Sequence, residues 1–99
     1  MSMEITTARE YVMSRVLAFV ADAADAPLDR VHEDTDIFSG LGIDSLGLVL
    51  ILVNLKDTFG VPEPVSEAGW ASLRTPDDIV FYAISRIDLA ELDVPPPAG

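Results

Sequence analysis

Apolar residues in this chain recur at intervals of three and four, the spacing of one face of an α-helix. No segment shows the strict two-residue alternation of a half-buried strand. Val12, Val16, Phe19 and Val20 form the first stripe. Thr7-Ala8-Arg9-Glu10 precedes it with the S/T-x-x-E spacing of a capping box, so the pattern predicts a first helix that starts there and stops before Pro27. Leu48, Leu52, Leu55 and Phe59 form a second stripe, on a helix predicted over 45–59. Gly60 supplies its stop, and Pro62 and Pro64 prevent continuation. The last stripe is Ile79, Val80, Ala83, Ile84 and Ile87. Ahead of it, Thr75-Pro76-Asp77-Asp78 provides a cap, a proline at the first helical position and two acids at the positive end of the helix dipole. A short, weakly patterned helix is predicted around 66–72 in SEAGWAS.

Between the first two stripes, APLDRVHEDTDIFSGLGID reads as a long loop. Structureless loops of that length are uncommon inside compact domains. Leu28, Val31, Ile37, Phe38 and Leu41 are spaced along it, so it is expected to be pinned against the core. The resulting fold class is all-α, a bundle of three to four helices with a long first loop. Its expected extent is residues 5–87, with 88–99, ending in LDVPPPAG, as a flexible or extended tail.

Composition and charge narrow the function. With 49% hydrophobic and 23% charged residues, the 99-residue chain has the balance of a globular domain. Seventeen acidic residues against six basic ones give a formal net charge of −11. That field repels phosphate backbones and anionic head groups, which argues against nucleic-acid and membrane partners and favours proteins with basic docking patches. No cysteine is present, so disulfides, thiolate nucleophiles and thiolate zinc sites are excluded. MSMEITTARE has no basic segment leading into an apolar one, and the apolar run at 46–53 is far shorter than the roughly 20 residues that span a bilayer. A monomeric cytoplasmic protein without a metal site is expected.

Candidate chemistry centres on GLGIDSLGLVLILV, residues 40–53. Asp and Ser are both favoured at helix starts, and capping alone accounts for such a pair. If Asp44 is the cap, however, Ser45 takes the first helical position and its hydroxyl is left over. A small hydroxyl beside the positive end of a helix is a favourable place for a phosphate ester, and Gly40 and Gly42 leave room for an enzyme to approach. A hydrolytic reading is weaker: Gly42-Ile43-Asp44-Ser45-Leu46-Gly47 is one residue out of register with the G-x-S-x-G elbow, and His32 is the only histidine available as a base. Glu33-Asp34-Thr35-Asp36 resembles a calcium loop but has Phe38 where a ligand is required. Gly40, Gly42 and Ser45 mimic a degraded dinucleotide fingerprint without the preceding strand. Trp70 reads as a partly buried anchor.

The second helix carries more apolar surface than one face needs. Leu46, Leu50, Val53 and Asp57 form a stripe nearly opposite the core stripe, bordered by Gly47 and Asn54. Two readings stand: the helix is buried nearly all round, or Leu46, Leu50 and Val53 are an exposed docking surface near Ser45.

LGIDSL, a helix ending in Phe59-Gly60, LRTPDDIVFYAI and the loop phrase VHEDTDIFSGLGIDS together resemble an acyl carrier protein over roughly residues 5–87. The resemblance implies a covalent 4′-phosphopantetheine arm, donated by coenzyme A and attached to Ser45, with Asp44 and Leu46 as determinants for the phosphopantetheinyl transferase. It implies no catalytic residue: partner enzymes of acyltransferase, ligase or ketosynthase type load and unload a thioester on the arm. Fatty-acid carriers usually present acids on the exposed face of this helix, whereas Gly47, Leu50, Val53 and Asn54 stand here, with Asp57 alone acidic. The departure points to a discrete carrier of polyketide or hybrid peptide–polyketide biosynthesis, with Leu46, Leu50, Val53, Asn54 and Asp57 as its docking residues. Peptidyl carriers more often show Gly-Gly-His/Asp-Ser, so Gly42-Ile43-Asp44-Ser45 leans to the acyl type while leaving an aminoacyl cargo open. The alternative is a non-catalytic helical adaptor that binds through Leu46, Leu50 and Val53, with Ser45 only a helix-terminus residue.

Overall fold

The first helix begins earlier than its capping motif. In the computed structural model, which describes the backbone of residues 5–87 and side chains from residue 8 onward, α1 spans Ile5–Ala24. Thr7 therefore lies inside the first turn and does not cap it. The apolar positions 5, 8 and 12 continue the helical spacing past the motif, and Ala8 is buried with Val12, Val16, Phe19 and Val20. The other end is closed by a Schellman motif: Ala26 N–H donates to the Ala21 carbonyl at 3.0 Å and Asp25 N–H to Asp22 at 3.2 Å. Asp25 adopts φ +52° to make it, and Pro27 then bars continuation. Glycine at this position carries no steric penalty, so Asp25→Gly is expected to stabilise the fold by about 0.5 kcal/mol, raising the thermal midpoint by about 2–4 °C. Asp25→Val should lower it. Thermal melts followed by circular dichroism check both.

A 3-10 turn, Leu28–Arg30, opens the long connection, followed by α2 (Ser45–Phe59), α3 (Glu67–Ala71) and α4 (Pro76–Ile84); no strand occurs among the described residues. α1 packs against both α2 and α4. Their shared core is apolar throughout: Val12, Val16, Val20, Ile51, Leu55, Ile79 and Val80 are fully buried, and no buried polar or charged residue is found among the described residues. Phe59 closes one end edge-on to Tyr11, with centroids 5.9 Å apart. α4 starts as its sequence prescribes, and more completely. Thr75 Oγ1 accepts from Asp78 N–H while Asp78 Oδ2 accepts from Thr75 N–H, a reciprocal capping box. In α4 Ile79, Val80 and Ala83 are buried and Ile84 half-buried; the helix ends there, so Ile87 of the predicted stripe lies beyond it, half-buried against the core. α3 is capped by Ser66, and Trp70 is half-buried, its indole N–H donating to the Pro64 carbonyl at 3.1 Å. Burial raises the pKa of the Tyr82 phenol, whose hydroxyl donates to the Pro62 carbonyl.

The long connection is pinned, though not by every apolar residue in it. Val31 and Ile37 are buried and Phe38 and Leu41 half-buried, whereas Leu28 is 55% exposed because it opens a turn none of whose residues is buried. A polar tie adds to these apolar pins. Asp36 Oδ1 accepts from Phe38 and Ser39 N–H, its Oδ2 from the Nε and Nη2 of Arg74, and Ile37 N–H donates to the Arg74 carbonyl at 2.9 Å. The bond from Ser39 N–H, then that from the Arg74 guanidinium, holds the Asp36 carboxyl below the usual carboxylate range. A depressed folded-state pKa contributes stability above the unfolded-state value and loses it as pH falls through the folded-state value. Asp36→Asn should therefore destabilise at neutral pH and flatten the acid limb of a melting profile taken from pH 7 to pH 2. The effect should be modest, because solvent screens this pair. The segment 88–99, expected as a tail, lies outside the described residues.

Candidate functional site

The hydroxyl of Ser45 stands where a helix begins and solvent reaches it. Asp44, in extended backbone conformation, is the cap of α2, and its Oδ1 accepts from Gly47 N–H at 2.9 Å. Ser45 is the first helical residue and is exposed, so its hydroxyl is not needed for the cap. α2 carries no acid in its first turn and Lys56 in its last, so the positive end of its dipole lies at Ser45, where the Asp44 cap carboxylate already engages one of its N–H groups. A phosphodiester on this oxygen would sit against that positive end, so the site fits a covalently held phosphate-containing group.

The segment before Ser45 is held backbone to backbone. Gly40 N–H donates to Asp36, Gly42 N–H to Phe38 and Ile43 N–H to Ile37, at 2.8, 2.9 and 3.0 Å. Gly42 takes φ +71°, and nothing lies within 4 Å of where a Cβ would project, so it turns the chain at an open surface. Ile43 then turns inward, 5% exposed. The sequence reading placed Ser45 and Asp44 here but missed Ile43 and the Arg74–Asp36 tie. Ile43 was one apolar residue among glycines, and Arg74 lies 38 residues from Asp36.

α2 resolves the question of its two stripes. Leu48, Ile51, Leu52 and Leu55 are buried, whereas Leu46, Leu50 and Val53 are 67%, 51% and 39% exposed. Asp57 is also exposed and Asn54 half-buried at the edge of the strip. The exposed strip starts at the residue after Ser45 and runs up the helix. Its only acid is Asp57, in a chain whose net charge is −11. Partner-free, it leaves three large apolar side chains against water.

The remaining candidates lie elsewhere. His32 is exposed, its backbone N–H donates to Thr35 Oγ1, and it lines a cleft against α1 with Arg9, Glu10 and Met13, a cleft that Ser45 does not line. Asp36 of the acidic loop is engaged by Arg74 and by backbone donors, and no His/Asp/Glu group among the described residues is arranged to hold a metal ion. None of the described helices is long and apolar enough to cross a membrane.

Ser45 is thus exposed at the start of α2, directly before an exposed apolar strip. Residues 14–82 match the family described as "Phosphopantetheine attachment site". The chain is 30% identical to an acyl carrier protein of Lactobacillus acidophilus, over 78% of this chain and 94% of that one. It is 31% identical to an acyl carrier protein of Thermotoga maritima, over 80% and 95%. It is also 33% identical to a D-alanyl carrier protein of Lacticaseibacillus casei, over 74% and 90%. The chain belongs to the phosphopantetheine-binding carrier family. It is a carrier of covalent 4′-phosphopantetheine and not an enzyme, and it works with a phosphopantetheinyl transferase and with biosynthetic enzymes.

Proposed function

We propose that Ser45 is the attachment residue, that Asp44 and Leu46 are read by the transferase, and that Leu46, Leu50, Val53, Asn54 and Asp57 form the face on which partner enzymes dock. The observation that carries the reading is the exposed first-turn position of Ser45, with capping performed by Asp44. The arm supplies a thiol, on which cargo is held as a thioester, to a chain without cysteine. The protein's own part is to fix the attachment oxygen, to present the apolar strip beside it, and to offer a negative field to basic surfaces around partner active sites. Full burial of a leucine or valine side chain contributes about 1.5–3 kcal/mol before the costs of association, enough for three such residues to select a partner.

Exposed leucines and a valine where fatty-acid carriers usually show acids support a specialised role: a cytoplasmic carrier for polyketide or hybrid peptide–polyketide synthesis, monomeric between encounters. Its partners are acyltransferases, ligases or ketosynthase-type enzymes with an apolar docking patch and a basic rim. Similarity to a D-alanyl carrier protein favours a second reading, an aminoacyl cargo. Mass analysis of the thioester released from protein isolated from its producer separates them. A polyketide-type acyl group supports the first reading and an amino acid the second; a long, fully reduced fatty acyl chain overturns both.

A further inference from the structure

Helix α2 contains a glycine in its first turn that neither helix propensity nor its apolar stripe calls for. We propose that Gly47 is a positioning residue for attachment of the arm: it leaves the space into which Ile43 packs, and so sets the turn that presents Ser45. The inference rests on the assignment of Ser45 as the attachment residue.

Glycine inside a helix is disfavoured relative to alanine, and Gly47 does not use the left-handed conformation that would justify it. What it provides is room. Gly47 is buried, and a Cβ built on it would lie 2.7 Å from Ile43 Cγ2, well inside the roughly 3.5–4.0 Å of a carbon–carbon contact. That methyl cannot swing aside cheaply. It sits directly on the branched Cβ of a residue that is 5% exposed, where χ1 is stiff. Two hydrogen bonds close the unit, Ile43 N–H to the Ile37 carbonyl at 3.0 Å and Gly47 N–H to Asp44 Oδ1 at 2.9 Å. Ser45 lies between these two bonded residues. A side chain at 47 would push Ile43 outward, loosen its bond to Ile37 and move the Ser45 oxygen relative to Asp44 and Leu46.

In the transfer, the Ser45 oxygen bonds to the phosphorus that carries the pantetheine, the pyrophosphate bond of coenzyme A breaks, the adenosine bisphosphate half leaves, and the serine proton passes to a base of the transferase. Such a step is sensitive to placement, with a shift of about 1 Å costing up to about 100-fold in rate. A displaced turn should therefore slow the step more than it weakens binding.

The test compares three apo full-length chains: wild type, Gly47→Ala, and Gly47→Ala with Ile43→Leu. Leucine keeps the apolar volume but has no Cγ2 on a branched Cβ. Each is incubated with coenzyme A and a broad-specificity transferase over a range of carrier concentrations, with the product read by intact mass and fragment mapping. Gly47→Ala should lower kcat by about tenfold or more with KM little changed. Amide exchange at Ile43 should quicken while that at Val80 in α4 stays at the wild-type rate. The double variant should recover most of the lost kcat. A folded Gly47→Ala chain loaded at the wild-type kcat overturns the proposal, as does a folded double variant that stays slow. Should Gly47→Ala fail to fold, the double variant decides: folded and loaded near the wild-type rate it supports the role, and unfolded or slow it overturns it. A wild-type chain that takes no arm on Ser45 is a different failure, visible before any variant is compared, and it removes the attachment assignment together with this role.

Discussion

Ser45→Ala is expected to abolish loading of the phosphopantetheine arm and leave the fold intact. The substituted residue is exposed and is the first residue of α2, and the cap bond at this helix end runs from Gly47 N–H to Asp44 Oδ1, with no part for the serine hydroxyl. Alanine is also the best helix former, so stability should change by less than about 0.5 kcal/mol. Asp44→Ala should behave oppositely, costing about 1 kcal/mol by removing the cap and retaining some loading, since the hydroxyl remains. Intact mass after incubation with coenzyme A and a transferase, with a thermal melt of each variant, reads both effects. A Ser45→Ala chain that still gains one arm would move the attachment to another residue. A Ser45→Ala chain that unfolds would mean that the hydroxyl is structural.

The second large effect separates the two faces of α2. Leu55 is fully buried and belongs to the core shared with Val12, Val16, Ile51 and Val80, so Leu55→Ala should destabilise by about 2–5 kcal/mol, the loss of transfer energy plus the cavity left behind. Leu50 lies on the same helix but is 51% exposed, and Leu50→Glu should shift stability by no more than about 0.5 kcal/mol. Its consequence lies in docking. A carboxylate in the middle of the apolar strip must be desolvated when a partner closes over it. At least one partner reaction should slow by about tenfold or more, the equivalent of losing about 1.4 kcal/mol of binding. Chemical denaturation gives the stability terms, and the rate of thioester formation on the loaded arm gives the docking term. If Leu50→Glu melted like Leu55→Ala, the strip would be core and the docking face would have to be sought elsewhere.

Helical periodicity separated these two leucines onto opposite faces of α2, but left open whether the Leu50 face is buried or exposed, because periodicity counts apolar faces and not the neighbours that cover them. The ends of α2 were legible for a local reason: Asp44 and Gly60 cap it by contacts within a few residues, and Gly60 adopts the left-handed conformation its position calls for. The start of α4 was readable from Thr75-Pro76-Asp77-Asp78, but its end was not, since the apolar stripe runs on to Ile87 after the helix stops at Ile84. What escaped was long-range or small. Arg74 and Asp36 carry no pattern that links them across the sequence, yet their pair ties the long connection to the approach to α4. The Thr7 motif misplaced the start of α1, because apolar spacing carried the helix past a local cap. Gly47 looked like a mere border of the exposed strip, and its close approach to Ile43 exists only once the loop has folded back on the helix. Leu28 shows the converse: an apolar residue in a pinned loop need not be one of the pins.

On the proposed assignment, one exposed serine at the start of α2 holds the arm. That assignment is tested most directly by incubating the folded apo chain with coenzyme A and a broad-specificity transferase, then fragmenting the product and locating the added mass. One phosphopantetheine per chain is expected, on the fragment containing Asp44-Ser45-Leu46 and on the Ser45 oxygen. A folded chain that gains no mass, or that carries the arm on any other residue, would contradict the assignment.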